Sequence, residues 1–356
     1  MDTFCVLPWV GREFNPNHSE THCCLLPAGH NIELIKSEML EGKQPTACQK
    51  CWTLEANNLK SNRQVINSSL DFYWDRDLEL IKQDAINGKL DQVLILKLYT
   101  SNICNATCVS CSPVASSSWT QLAHQMYPMI PLKKHQFVNL ETVKEKIDLK
   151  ELKILNLVGG EPLYEKKNFE FLEYLSELGN TELFVSMVTN GSVKLTNKQK
   201  QILSKFKNIN FSISIDGTES VFEYLRYPLK WDDLIKNLEF FREISSNISS
   251  NYTLSSLNIL YHTTTIKWFN KNKINYSVSP VYDPSWLQPS ALPESIKTLL
   301  KSQLVTEDYN AFVGQKHTDQ DQQNFCRMLE QTKLQDTAKK IKMSDYLPEL
   351  HRLLPG

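Results

Sequence analysis

Cys104, Cys108 and Cys111 stand in the run Cys-Asn-Ala-Thr-Cys-Val-Ser-Cys, a C-x3-C-x2-C spacing that puts three thiols on one short loop. Thiolates are soft ligands that suit iron–sulfur clusters and zinc. Each of the three can take one iron of a 4Fe-4S cluster. Most such clusters use four cysteines, so three would leave one iron open to a substrate or cofactor. A partial structural zinc site is the alternative, although zinc sites usually carry paired C-x2-C units and no local fourth ligand is visible. A second set lies upstream: Cys5, Cys23, Cys24, Cys48 and Cys51. Cys23, Cys24, Cys48 and Cys51 could make a four-cysteine zinc site, with His22 able to replace one of them; an iron–sulfur cluster is the other reading. Cys326 stands alone, either a packed helical cysteine or a reactive thiol.

These residues need elements to hold them. Residues 1–63 have little regular periodicity and are interrupted by Pro8, Pro16, Pro27 and Pro45, so this segment is expected to need a metal staple. Phe72 to Gly88 reads as an amphipathic helix. From about residue 92, short apolar runs recur at Val93–Leu98, Ile154–Val158, Leu183–Val188, Ile209–Ile215, Leu254–Leu260 and Tyr276–Val281. Helical patterns alternate with them at Leu140–Ile147, Phe169–Leu178, Asn197–Lys205 and Trp231–Ile244. Strand–helix alternation predicts parallel βαβ units and an α/β fold, a partial (β/α)6 version of the TIM barrel. In such folds the chemistry sits at the C-terminal ends of the strands, where the cysteine loop falls. Proline-rich text after Val281 gives way to helices, one beginning at Pro293 and one over Gln320–Lys342. The expected organisation is a cysteine-bearing segment at 1–71, a linker helix at 72–91, the barrel at 92–282 and a helical region at 283–356.

The chain has 356 residues and a net charge of -1, so no overall basic field points to nucleic acid or an anionic membrane. The first residues lack the basic start and apolar run of a secretory signal. No apolar run reaches the roughly 18 residues of a membrane span. A cytoplasmic location follows as the expectation. In that reducing setting an odd count of nine cysteines reads as ligands or reactive thiols rather than disulfides.

Further segments fall at the predicted strand ends: Gly159-Gly160-Glu161-Pro162, Thr189-Asn190-Gly191, Ser212-Ile-Ser214-Ile-Asp216-Gly217, and then Tyr224-Leu-Arg226. Together with the C-x3-C-x2-C loop they resemble the radical S-adenosylmethionine (SAM) superfamily. The resemblance implies that Cys104, Cys108 and Cys111 hold a 4Fe-4S cluster whose open iron chelates SAM. An electron from the cluster then cleaves SAM to methionine and a 5′-deoxyadenosyl radical. By the same match, Gly159 and Gly160 approach SAM closely and Glu161 receives its ammonium. Ser214 and Arg226 contact the methionine carboxylate, and Asn190 and Asp216 lie near the ribose or substrate. The family usually has a large apolar residue before the third cysteine, packed on adenine; here it is Ser110, so that contact must come from elsewhere.

The upstream set, continuing into Glu55, Ser61 and Arg63, resembles the auxiliary-cluster "twitch" or SPASM-like segments of the same superfamily, placed here before the barrel. This implies a second 4Fe-4S cluster on Cys5, Cys23, Cys48 and Cys51, with Cys24 the adjacent candidate. His18 stands where these segments often have glycine. Members with auxiliary clusters often modify ribosomally made peptides by crosslinking, epimerisation, oxidation or cleavage. A peptide or protein substrate is therefore expected, with an electron donor such as flavodoxin or ferredoxin. No leader-binding winged helix is evident, which would leave leader binding to the barrel edge or the C-terminal helices. Radical tailoring of a small molecule, and a noncatalytic metal-stabilised binding or electron-transfer protein, are the alternatives. Cys326 is the candidate hydrogen donor if the reaction is an epimerisation.

Overall fold

The computed structural model describes every residue except 1, 17–19, 28, 57–58, 71–75, 91, 130–135, 315–316 and 356. Seven strands form one sheet in chain order: β1 (Gly11–Phe14), β2 (Ile95–Tyr99), β3 (Ile154–Val158), β4 (Phe184–Thr189), β5 (Asn208–Ile213), β6 (Asn247–Leu254) and β7 (Asn275–Pro280). The pairs β1–β2, β2–β3, β3–β4 and β6–β7 are parallel. With helices between most strands and more after β7, this is the expected α/β architecture of a partial TIM-like barrel.

The chain divides into two compact units, Met1–Ser101 with Gln136–Met187 and Leu195–Asn210, and Asn102–His135 with Val188–Lys194 and Phe211–Gly356. In the first unit, Glu13, Lys97, Asn156 and Ser186 share one register across β1 to β4 and form a polar layer. One residue pair earlier, Ile95, Ile154 and Phe184 join the core built by Phe4, Val6, Trp9, Val10, Ile35, Met39, Trp52, Leu70 and Ile81. The N-terminal segment thus covers the starting ends of the strands and leaves their C-terminal ends for chemistry. Its short helices begin at side-chain caps: Asn31 accepts from Glu33 N and Leu34 N, and Ser61 forms a reciprocal capping box with Gln64.

In the second unit, β6 and β7 lie side by side and the helix Asp319–Lys339 packs on the turns Ser285–Leu287 and Pro289–Ala291 and on the helix Ser117–Met126. Tyr127 Oη donates to Gln331 Oε1 (3.2 Å), and Ser285 Oγ to Asn324 Oδ1 (3.1 Å).

Two sequence expectations need correction. The strand placed at Leu254–Leu260 is β6 at Asn247–Leu254; residues 254–260 turn into the 3-10 helix Ile259–Tyr261. β6 alternates buried and more exposed positions, with Ser250 among the inward residues, so it lacks the mostly buried apolar run that marks β3 and β4. β1 was not expected at all, because a four-residue Gly-Arg-Glu-Phe strand has too little pattern to read. The expected helix Phe72–Gly88 is seen over Leu78–Ile86, with residues 71–75 outside the described set.

Candidate active site

The cysteine loop leaves β2 and is tied down on two sides. Thr107 N donates to Tyr227 O (2.7 Å) and Val109 N to Leu225 O (2.8 Å), so the segment at 225–227 runs beside it like a strap. Opposite, the serines that open the helix Ser117–Met126 grip the loop's backbone. Ser117 Oγ accepts from Cys104 N (3.1 Å), Ser118 Oγ donates to Cys104 O (2.7 Å), and Ser116 Oγ donates to Ala106 O (2.7 Å). Trp119 Nε1 donates to Cys108 O at 2.7 Å. These bonds fix the loop's backbone, with Cys108 buried and Cys104 and Cys111 half-buried.

Burial and its neighbours Cys108 and Cys104 push the Cys111 thiol up to about 12, so the sulfurs feel one another's charge. Burial also raises Cys108, against the pull of Arg226. Ligation must release these protons. Among the described residues no three His, Cys, Asp or Glu side chains converge as they would around one metal ion. A mononuclear zinc needs that convergence, at about 2.0–2.3 Å per ligand. A 4Fe-4S cluster needs its three thiolates around one common site too, but spaced farther apart, one to each iron of the cubane.

Polar side chains surround the loop within this unit. Asn190, at the end of β4, donates from Nδ2 to Asn105 Oδ1 (2.8 Å) and lies 4.0 Å from Cys104 Sγ. Ser192 completes the group through Asn190 Oδ1 (2.6 Å) and Asn105 Nδ2 (2.9 Å). Gly191 keeps the turn tight: its φ is +76°, and a Cβ there would lie 2.4 Å from Leu234. Ser214 is positioned by its backbone N–H on Thr189 O (2.8 Å). Arg226 is buried between Asp216, 2.6 Å from Nη2, and Cys108 Sγ, 3.9 Å from Nη1. Burial opposes its charge, and Asp216 more than offsets this, so the guanidinium is held above its usual range. Its Nε is buried with no hydrogen-bond partner among the described residues. Asp216 also accepts from Thr253 N (2.9 Å).

The glycine–glutamate turn belongs to the other unit. Gly159 has φ +132°, and a Cβ there would lie 2.6 Å from Ser101 O, which also accepts from Gly160 N (3.0 Å). Glu161 is 1% exposed and accepts from Leu163 N (3.1 Å). Ser101 Oγ donates to Glu165 Oε2 (2.6 Å), which fixes the strand end against the turn.

In that same unit the upstream cysteines gather. Burial, then Cys51 and Cys48, push the Cys5 thiol up to about 12, and Cys5 in turn acts on Cys23. Cys48 rises to about 11 under burial and the charge of Cys51. Cys24 turns elsewhere, to Lys97 on β2; its hydrogen bond with Cys23 and the Lys97 ammonium hold it low. Glu55, Ser61 and Arg63 form the frame. Arg63 pairs with Glu55 through Nη2 (2.7 Å) and Nε (3.0 Å), and Ser61 Oγ donates to Glu55 Oε1 (2.5 Å). Arg63 Nη1 reaches Phe4 O (2.9 Å), and Asn67 bonds Phe4 O (2.8 Å) and Val6 N (3.1 Å), pinning the backbone on both sides of Cys5. His18 lies outside the described residues, and His22 is half-buried.

Cys326 is exposed on the helix Asp319–Lys339, with Gln322 Nε2 3.7 Å from its sulfur, while Phe325 and Met328 point inward. Tyr282 is exposed and Trp286 buried. Sequence reasoning missed Asn105, Ser192, Trp119 and Asn62, whose Nδ2 is 3.8 Å from Cys23 Sγ. The Ser116-Ser117-Ser118-Trp119 run was a legible helix start, but its grip on the cysteine loop was not.

Among solved structures, the chain is similar to SuiB of Streptococcus suis bound to S-adenosylmethionine, at 18% identity and a TM-score of 0.40, over 72% of this chain and 55% of that one. SuiB bound to its precursor peptide SuiA gives 16% identity and a TM-score of 0.42, over 90% and 65%. The enzyme anSMEcpe with bound AdoMet gives 20% identity and a TM-score of 0.42, over 54% and 52%. The chain thus spans little more than half the length of the first and last of these proteins. No match was found among curated protein sequences. The family profile described as "Radical SAM superfamily" matches residues 98–258, which run from the end of β2 past β6 and include the cysteine loop, the glycine–glutamate turn and Arg226. The match to the Radical SAM superfamily thus rests on this segment, which holds the strand ends and loops of the candidate site.

Proposed function

We propose that this protein is a radical SAM enzyme that modifies a peptide or protein, and that it uses two 4Fe-4S clusters, one on Cys104, Cys108 and Cys111 and one closed by Cys5, Cys23, Cys48 and Cys51. When bound, the open cluster and SAM supply one-electron reduction and hydrogen-atom abstraction. The observation that carries the reading is Arg226: a buried guanidinium beside Cys108 whose Nε still lacks a partner. A planar donor of this kind suits a carboxylate, and the carboxylate of SAM is the natural occupant beside an open iron.

The other residues have matching tasks. Asn190 fixes Asn105 next to Cys104 and so orients the first ligand. Asp216 keeps Arg226 charged and aimed. Gly159 leaves its turn free of a side chain, and the buried Glu161 offers a carboxylate to an ammonium. The auxiliary set, with Cys5 pinned by Arg63 and Asn67, supports the peptide reading, because auxiliary clusters accompany peptide-modifying members. A flavodoxin or ferredoxin would supply electrons.

The test is anaerobic. Protein reconstituted with iron and sulfide receives SAM and dithionite, and 5′-deoxyadenosine is quantified by mass spectrometry beside a Cys104→Ala variant. Cys104-dependent formation that a peptide pool stimulates is the expected result. Stimulation by sugars or free amino acids alone would replace the peptide reading. Fully loaded protein that neither cleaves SAM nor changes its cluster spectrum on SAM addition would refute the placement of the site.

A further inference from the structure

Lys339 ends the helix Asp319–Lys339 and is 6% exposed. A buried ammonium is ordinarily matched by a carboxylate. Here Nζ donates to the neutral Gln335 Oε1 (2.9 Å), and no carboxylate lies within ion-pair distance among the described residues. Asp336, next to it on the helix turn, is taken by Tyr224 Oη (2.9 Å) and Met343 N (2.7 Å). What faces the ammonium is the frame of the cysteine loop. The ring of Trp119 lies 5.8 Å from Nζ and that of Tyr227 5.7 Å, on opposite ties of the loop. Trp119 holds Cys108 O, Tyr227 O holds Thr107 N, and Tyr227 Oη donates to Lys339 O (3.2 Å). Ala338, one residue before, packs against Trp119, Leu122 and Ala123, as does Cys111.

Two cations therefore stand by this loop, and they differ. Arg226 is neutralised by Asp216 at 2.6 Å. Lys339 has no such partner. Burial lowers it to about 8, while Cys108, Asp336 and Cys111 act in its favour as anions. Three thiolates make a bound cluster net anionic, and each electron added makes it more so. A fixed positive charge in a poorly screened interior favours the more anionic state.

We propose that Lys339 is a positioning residue for charge: the C-terminal helix places its ammonium beside the cysteine loop to favour the reduced cluster and raise its reduction potential. This rests on the reading that Cys104, Cys108 and Cys111 hold the open cluster. One electron enters from an external reductant such as dithionite; no bond breaks, and at pH 7, below the value of about 8 to which burial lowers Lys339, the side chain is mostly ammonium and no proton need move.

The experiment is a potentiometric titration of the full-length reconstituted protein, following the electron paramagnetic resonance signal that SAM perturbs. Wild type is compared with Lys339→Gln, Lys339→Met and Lys339→Arg, each with iron and sulfide counted. In Gln and Met the oxidised-to-reduced ratio at fixed potential should rise at least tenfold, about 59 mV for a one-electron couple. Arg should stay within about threefold of wild type. Unchanged potentials in loaded Gln and Met, or a fall in Arg as large as in Gln, would overturn the proposal. If Gln and Met lose iron, retention in Arg supports the charge and loss in Arg as well overturns it. A SAM-sensitive signal that survives Cys108→Ala would instead refute the placement of the cluster, independently of Lys339.

Discussion

Replacing Asp216 with Asn tests the electrostatic centre of the site without changing its shape. Asp216 Oδ2 is 2.6 Å from Arg226 Nη2, and the two side chains are 5% and 12% exposed. Removing one partner of a buried pair leaves an uncompensated charge and costs about 3–5 kcal/mol. Asn keeps an oxygen for Thr253 N, so the bond at 2.9 Å survives and about 1 kcal/mol is not lost. The expected cost is therefore about 3 kcal/mol. An unfolding entropy of about 2.1 cal/mol/K per residue turns this into a drop of about 4 °C if the whole chain melts together, and about twice that if only the unit holding the pair melts. The assay is urea and thermal unfolding of Asp216→Asn, Arg226→Met and the double variant. Removing both charges should recover most of the loss, giving a coupling above about 2 kcal/mol. A single-variant cost below about 1 kcal/mol, or a double variant no better than Asp216→Asn, would refute the buried-pair account.

Three further outcomes follow from the same geometry. Gly159→Ala forces a side chain onto φ +132° with its Cβ 2.6 Å from a backbone oxygen; strain alone should cost about 1–3 kcal/mol, and an unchanged melting temperature would contradict it. On the proposed auxiliary ligand set, Cys23→Ala should lose that cluster's share of the bound iron while Cys24→Ala keeps it, since Cys24 also bonds Lys97; the reverse iron counts would exchange their roles. Burial holds His262 below its ordinary range, with Asp308 3.3 Å from Nε2 opposing and Tyr252 stacked 5.6 Å away. Below about pH 6.5 the unfolded chain takes a proton that the fold resists, so stability falls as pH drops through that range. Urea unfolding at pH 7.5 and 5.5 should show this loss in wild type and less of it in His262→Gln; equal losses would assign the slope to other groups.

What could be read in advance follows a simple division. β3 was placed at Ile154–Val158 as found, because four of its five residues are buried and apolar. The helix Trp231–Ile244 was likewise found at its expected bounds, since Leu234, Leu238 and Phe241 recur at helical spacing. The chemistry-bearing motifs were legible because each is local: three cysteines within eight residues, two glycines and a glutamate in one turn. The partners that tune them are distant. Asp336 meets Tyr224, and Lys339 meets Trp119 and Tyr227, only because a C-terminal helix folds back onto the cysteine loop. No spacing rule reaches across such a separation.

The N-terminal segment shows why weak periodicity is a poor measure of order. Its prolines and scattered cysteines suggested a stretch held together by metal alone. Yet Phe4, Val6, Trp9 and Val10 are buried against strand-start residues Ile95, Ile154 and Phe184, so the segment shares the barrel's own core. Arg63 adds a second fastening: paired to Glu55, it stacks over Trp52 at 5.0 Å and holds Phe4 O, joining two short helices and the chain start without a regular pattern. Within the same segment burial raises the thiols of Cys5, Cys48 and Cys51, and the charge of Cys51 acts on the other two. A metal held by these thiols would have to displace their protons, so its binding would strengthen as pH rises.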